Sequence, residues 1–158
     1  HKMKRILYLH GLESKQRGDK VSYLASNHYI LAPALNYYSP GIEEVLLQLF
    51  ENEKPDLIIG SSMGGYTANL LSSRFNIPAL LLNPALINPP LRFKTLESDC
   101  AVSKALHVVV MGEYDEVIPY KQTQNYLLEH GFSNIEVRSY GHRTPYEDFI
   151  EICEGVLT

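Results

Sequence analysis

The chain has 158 residues, 45% of them hydrophobic and 20% charged, with a formal net charge of −4. That length fits one domain with a real core, and the composition is that of a soluble globular protein. The acidic balance offers no basic face for nucleic acid, and no apolar run approaches the roughly 20 residues that span a bilayer.

At the start, His1-Lys2-Met3-Lys4-Arg5 is basic, but the apolar run behind it is too short for a signal-peptide core. Met3 reads as the natural start, with His1 and Lys2 left from an expression tag. Cys100 and Cys153 form no CxxC or zinc spacing and read as reduced thiols. A cytoplasmic monomer or small homo-oligomer is expected, a single domain over 3–158.

Six short apolar runs read as strands: Ile6–His10, Tyr29–Leu35, Asp56–Gly60, Ala79–Asn83, His107–Gly112 and the more polar Ile135–Tyr140. They are brief and mostly lack alternation, as strands covered on both faces do. Helices are predicted between them. Ile42–Phe50 sets Val45, Leu46, Leu49 and Phe50 on one face behind Ser39-Pro40 as cap and first position. Met63–Phe75 and Tyr120–His130 follow, the latter closed by Gly131. Thr144-Pro145-Tyr146-Glu147 has the form of a capping box opening the last helix. This alternation predicts a doubly wound α/β fold: a mostly parallel six-stranded sheet with helices on both faces. Residues 84–105 carry three prolines and a mixed pattern, which suits a minimal cap or an irregular crossover.

The third strand runs into Gly60-Ser61-Ser62-Met63-Gly64-Gly65. A phosphate-binding P-loop would need a lysine that is missing, and the dinucleotide fingerprint fails because Ser62 stands where its second glycine should be. What does match is G-x-S-x-G, the nucleophile elbow, in which a serine tops a sharp strand-to-helix turn. Glycine is wanted two residues before and after the serine because side chains there would collide across the turn. The helix N-terminus then faces the oxyanion that develops.

A serine needs a base to take its proton and a third group to orient that base. The fifth strand is followed by Glu113-Tyr114-Asp115-Glu116 and the sixth by Gly141-His142-Arg143. Asp115 and His142 thus stand in the chain order Ser, acid, His, at strand carboxyl ends where open α/β sheets bind ligands. Glu113 and Glu116 remain alternatives for the acid. Among the other histidines, His28 and His130 lie beside helix ends, His107 opens a strand, and His10 suits a role in supporting its loop. The oxyanion donors are expected to be the backbone N–H groups of Met63 and of Leu12, in the Leu9-His10-Gly11-Leu12-Glu13-Ser14 loop.

Together LHGLES, GSSMGGY, LLNPA, GEYDEVIPY and GHRTPYEDF resemble the pattern of small bacterial α/β-hydrolase esterases with little or no cap, from Ile6 to the last helix. The resemblance implies a compact α/β-hydrolase fold and ester or thioester hydrolysis by a Ser62–Asp115–His142 triad through an acyl-enzyme. No metal or cofactor is implied. Arg143-Thr144-Pro145 departs from the small and aromatic residues that relatives often carry there. The expected partner is a small or short-chain acyl substrate, with Leu86, Ile87, Leu91 and Phe93 as candidate acyl-site residues. The competing reading is a non-catalytic binding protein that keeps the elbow as scaffold.

Overall fold

In the computed structural model, residues 2–12 and 18–158 are described. His1, and Glu13 and Ser14 of the first loop, lie outside them. The order is β1 (Arg5–Leu9), α1 (Asp19–Ala25), β2 (Tyr29–Leu31), α2 (Ile42–Glu53), β3 (Leu57–Ser61) and α3 (Met63–Phe75). Then come β4 (Ala79–Leu82), β5 (Leu106–Gly112), α4 (Tyr120–Glu129), β6 (Ile135–Arg138) and α5 (Tyr146–Leu157). The strands form one parallel sheet in the order β2-β1-β3-β4-β5-β6.

Apolar runs without strict alternation arise because both faces of the sheet are covered. In β1, Ile6 and Tyr8 join one core while Leu7 and Leu9 join the other; in β4, Leu80 and Leu82 are set against Ala79 and Leu81 in the same way. Val21 and Leu24 of α1 and Phe149, Ile152 and Cys153 of α5 close the first face. The second is closed by Leu46 and Phe50 of α2, Ala68 and Leu71 of α3, and Leu127 of α4. Right-handed crossovers dictate this split. The chain moves outward from β1 to β2, then crosses back over β1 to β3 and continues in that direction. The carboxyl ends of β1 and β3 therefore form the switch point of the sheet, where ligands bind in such folds.

Several boundaries differ from expectation. Helix α1 has no counterpart in the predicted elements: at seven residues it is too short for a clear period. Strand β2 stops at Leu31, ahead of Pro33, which cannot donate to a ladder. In α2, Gly41 occupies the cap, so Ser39-Pro40 precede the helix; Ile42 is buried and Val45 is exposed. The capping box before α5 does not form. Pro145 takes the cap position without a side-chain hydrogen bond, and Thr144 is buried. Gly131 does lie just past α4, with φ 82°.

Residues 84–105 contain no helix or strand and carry the chain from β4 to β5 across the second face. Phe93, Leu96 and Val102 pack into that core. The Asn69 amide on α3 binds Ala101 O and Ser103 N, at 2.9 Å each, and the Ser72 hydroxyl meets the Ser103 hydroxyl at 2.7 Å. Buried polar groups on the helix thus satisfy the irregular backbone beside them. Among the described residues, no helix is long and apolar enough to cross a membrane.

Candidate active site

Strand β3 ends at Ser61 and α3 begins at Met63, so the whole reversal falls on Ser62. Its φ of 57° and ψ of −116° lie in a sparsely populated region for a residue with a side chain. The turn is held from both sides. Ser62 N–H donates to Leu82 O at 3.0 Å, and Ser62 O accepts from the N–H groups of Gly65, Tyr66 and Ala85. A Cβ on Gly60 would stand 2.1 Å from Gly64 O, and one on Gly64 would stand 2.1 Å from Leu9 O. The first contact is the collision across the turn that the motif anticipates. The second shows how closely the elbow approaches the end of β1.

Asp115 follows β5 with its side chain only 1% exposed. Its Oδ1 accepts from Val117 N–H and Ile118 N–H, both at 2.9 Å. Its Oδ2 lies 2.8 Å from His142 Nδ1 and accepts from Asn83 Nδ2 at 2.7 Å. Burial pushes this carboxyl up, but hydrogen bonds from Ile118 N–H, His142 and Asn83 outweigh it and hold the group below its usual range. An ionised carboxylate only accepts, so the His142 proton sits on Nδ1. In the neutral ring Nε2 then carries the lone pair, 3.1 Å from Ser62 Oγ and placed to accept from its hydroxyl. Glu113 and Glu116 are exposed on the same loop.

The loops that carry Asp115 and His142 are stapled together. Tyr114 N–H donates to Tyr140 O at 3.0 Å and Glu113 N–H to Arg138 O at 2.8 Å. A Cβ on Gly112 would stand 2.2 Å from Gly141 O, so the backbone of one loop lies directly on the other.

Met63 is the first residue of α3, where an N–H has no intrahelical acceptor. The loop after β1 starts near this helix end, with Leu9 O and His10 O close to where a Cβ on Gly64 would stand. His10 is buried in that loop: its Nε2 accepts from Leu35 N–H at 3.0 Å, which places the proton on Nδ1, next to Gly11 O. Tyr37 donates its hydroxyl to His10 O at 2.6 Å. His10 thus ties the loops after β1 and β2, in keeping with its expected supporting role.

The four candidate acyl-site residues divide. Leu86 and Phe93 are buried in the core, Phe93 with its ring stacked on Tyr37 and its N–H given to the Tyr66 hydroxyl. Packing occupies both side chains. Ile87 and Leu91 are half-buried and keep open surface. A buried residue that the sequence reading left without a role is Asn83, whose amide reaches Asp115. Its signal was the NPA stretch, where an asparagine directly precedes proline at a strand end.

Comparison of the whole fold with solved structures gives α/β hydrolases. An α/β serine hydrolase homologue from Coxiella burnetii is 17% identical with a TM-score of 0.67, over 97% of this chain and 83% of that one. S-formylglutathione hydrolase from Staphylococcus aureus is 16% identical with a TM-score of 0.72, over 99% and 82%. Acyl-protein thioesterase 2 from Zea mays is 20% identical with a TM-score of 0.60, over 98% and 93%. The fold is the α/β-hydrolase fold, as the resemblance implied. A family model matches residues 5–92, more than half of the chain and the stretch that holds both the first loop and the elbow, and the chain therefore belongs to the uncharacterised protein family UPF0227.

Proposed function

We propose that the protein is a serine hydrolase that cleaves carboxylic ester or thioester bonds of small or short-chain acyl substrates. The observation that carries this reading is the continuous hydrogen-bonded chain from Ser62 Oγ through the His142 ring to a buried, ionised Asp115. As Ser62 Oγ attacks the acyl carbonyl, His142 Nε2 takes its proton. Asp115 keeps the imidazole in the required tautomer and stabilises its positive form. The N–H groups of Met63 and Leu12 receive the oxyanion, each worth roughly 2.7–4 kcal/mol by analogy with measured oxyanion donors. His142 then protonates the leaving oxygen or sulfur. A water molecule, activated by the same base, releases the acid from Ser62. No step needs a metal or cofactor.

Ile87 and Leu91 are the acyl-site residues we retain. We place the protein in the cytoplasm, where its two free thiols would stay reduced. A panel of chromogenic esters and thioesters of increasing chain length tests the reading. Wild type should hydrolyse the shorter members, and Ser62→Ala and His142→Ala should fall to background, since loss of one triad member costs roughly 10⁶-fold in kcat in measured cases. Equal rates in wild type and Ser62→Ala would reject the nucleophile. Absence of hydrolysis with every member would favour a binding protein that keeps the elbow as scaffold.

A further inference from the structure

Asn83 follows β4 with φ 44° and is 1% exposed. Its N–H donates to Val110 O at 2.9 Å, extending the pairing with β5 beyond the last residue of β4. Both protons of its amide are used: Nδ2 donates to Asp115 Oδ2 at 2.7 Å and to Gly141 O at 3.2 Å. Among the described residues, its buried Oδ1 has no hydrogen-bond partner. The two acceptors set the orientation, because a flipped amide would press its oxygen against a carboxylate and a carbonyl. Asparagine tolerates the left-handed backbone, but its buried, unpaired acceptor is a local cost that glycine, at ease at the same angle, would not carry. Such costs persist where the group has another task.

We propose that Asn83 is a positioning residue of the active site, whose amide locks the Asp115 carboxylate to the loop that carries His142. Asp115 Oδ1 is held by its own loop, but Oδ2, the oxygen that meets His142, is held across the sheet edge by Asn83. The second Asn83 bond falls on the residue immediately before His142. One amide therefore sets the acid and the base relative to each other from a third strand. This role rests on the serine hydrolase reading.

Two variants test it. Asn83→Gly removes the amide while tolerating the backbone angle, and Asn83→Asp keeps the shape but has no donor while ionised. The first readout is the downfield proton resonance of His142 Nδ1–H, assigned by its loss in His142→Ala. The second is kcat per active site titrated with a fluorophosphonate. The proposal expects the resonance to be lost or displaced in variants that keep a folded amide spectrum, with kcat per site down about 10- to 100-fold and KM little changed. If Asn83→Gly does not fold, Asn83→Asp carries the test. An unmoved resonance with unchanged kcat per site overturns the proposal, even if thermal stability falls. Wild type that neither reacts with the probe nor hydrolyses any ester would instead overturn the hydrolase reading, and the resonance would still decide what Asn83 positions.

Discussion

Asp115 shows how a side chain acquires its role from its neighbours. Sequence order brought it forward together with Glu113 and Glu116, and local composition does not separate three acidic residues in a row of four. Burial separates them: only Asp115 is enclosed and supplied with donors on both oxygens. Under the proposed mechanism, Asp115→Asn should lower kcat by roughly 10⁴-fold, because an amide no longer holds the required tautomer. Glu113→Gln and Glu116→Gln should leave it unchanged; steady-state kinetics on one ester compares all three. The depressed carboxyl also carries a stability consequence. Its pKa is lower folded than unfolded, so its contribution is fully present above about pH 4 and is lost as pH falls through the native value. Thermal unfolding followed from about pH 5 downward should therefore fall more steeply for wild type than for Asp115→Asn. Asn83 was harder to read, because its meaning depends on a carboxylate 32 positions away that only β4–β5 pairing brings near.

Among the elements, the elbow was the most legible because its constraints are local. Glycines at two fixed offsets, an apolar strand before and a helical run after are all contained within residues 56–71. The 2.1 Å approaches at Gly60 and Gly64 are to backbone oxygens, which cannot rotate aside. Gly60→Ala should therefore destabilise the fold by about 3 kcal/mol or more, seen as a lower urea midpoint with little change in slope. Gly155 lies inside α5 and, among the described residues, has nothing within 4 Å of the corresponding position, so Gly155→Ala should be neutral or stabilising. Cap positions were less legible. The box before α5 fails because Thr144 turns inward, and the α2 entry shifts to Gly41 because Ile42 is drawn into the core. Burial outweighs capping at both ends, and burial is a tertiary property that a four-residue pattern does not contain.

For the molecule as a whole, the strand runs were sufficient for the class of fold, since continuous apolar runs imply a sheet covered twice. The switch point between β1 and β3 required the strand order, and it brings the end of β1, at Leu9 O and His10 O, against the elbow at Gly64. The two cysteines report on the integrity of this arrangement. Cys153 is fully buried against the first face, where burial pushes its thiol up to about 12. Cys100 lies half-buried in the crossover. A thiol reagent should modify Cys100 in the native protein and Cys153 only as the molecule unfolds; equal rates would show that α5 opens independently.

In the proposed mechanism one serine, raised on the β3–α3 turn, is made nucleophilic by His142 and Asp115. The most direct measurement is to treat the protein with a fluorophosphonate and map the adduct by peptide mass spectrometry. A single adduct on Ser62 is expected, absent from Ser62→Ala and greatly slowed in His142→Ala and Asp115→Asn. An adduct on Ser61 or elsewhere, or labelling of Ser62 at the same rate without His142, would contradict the mechanism.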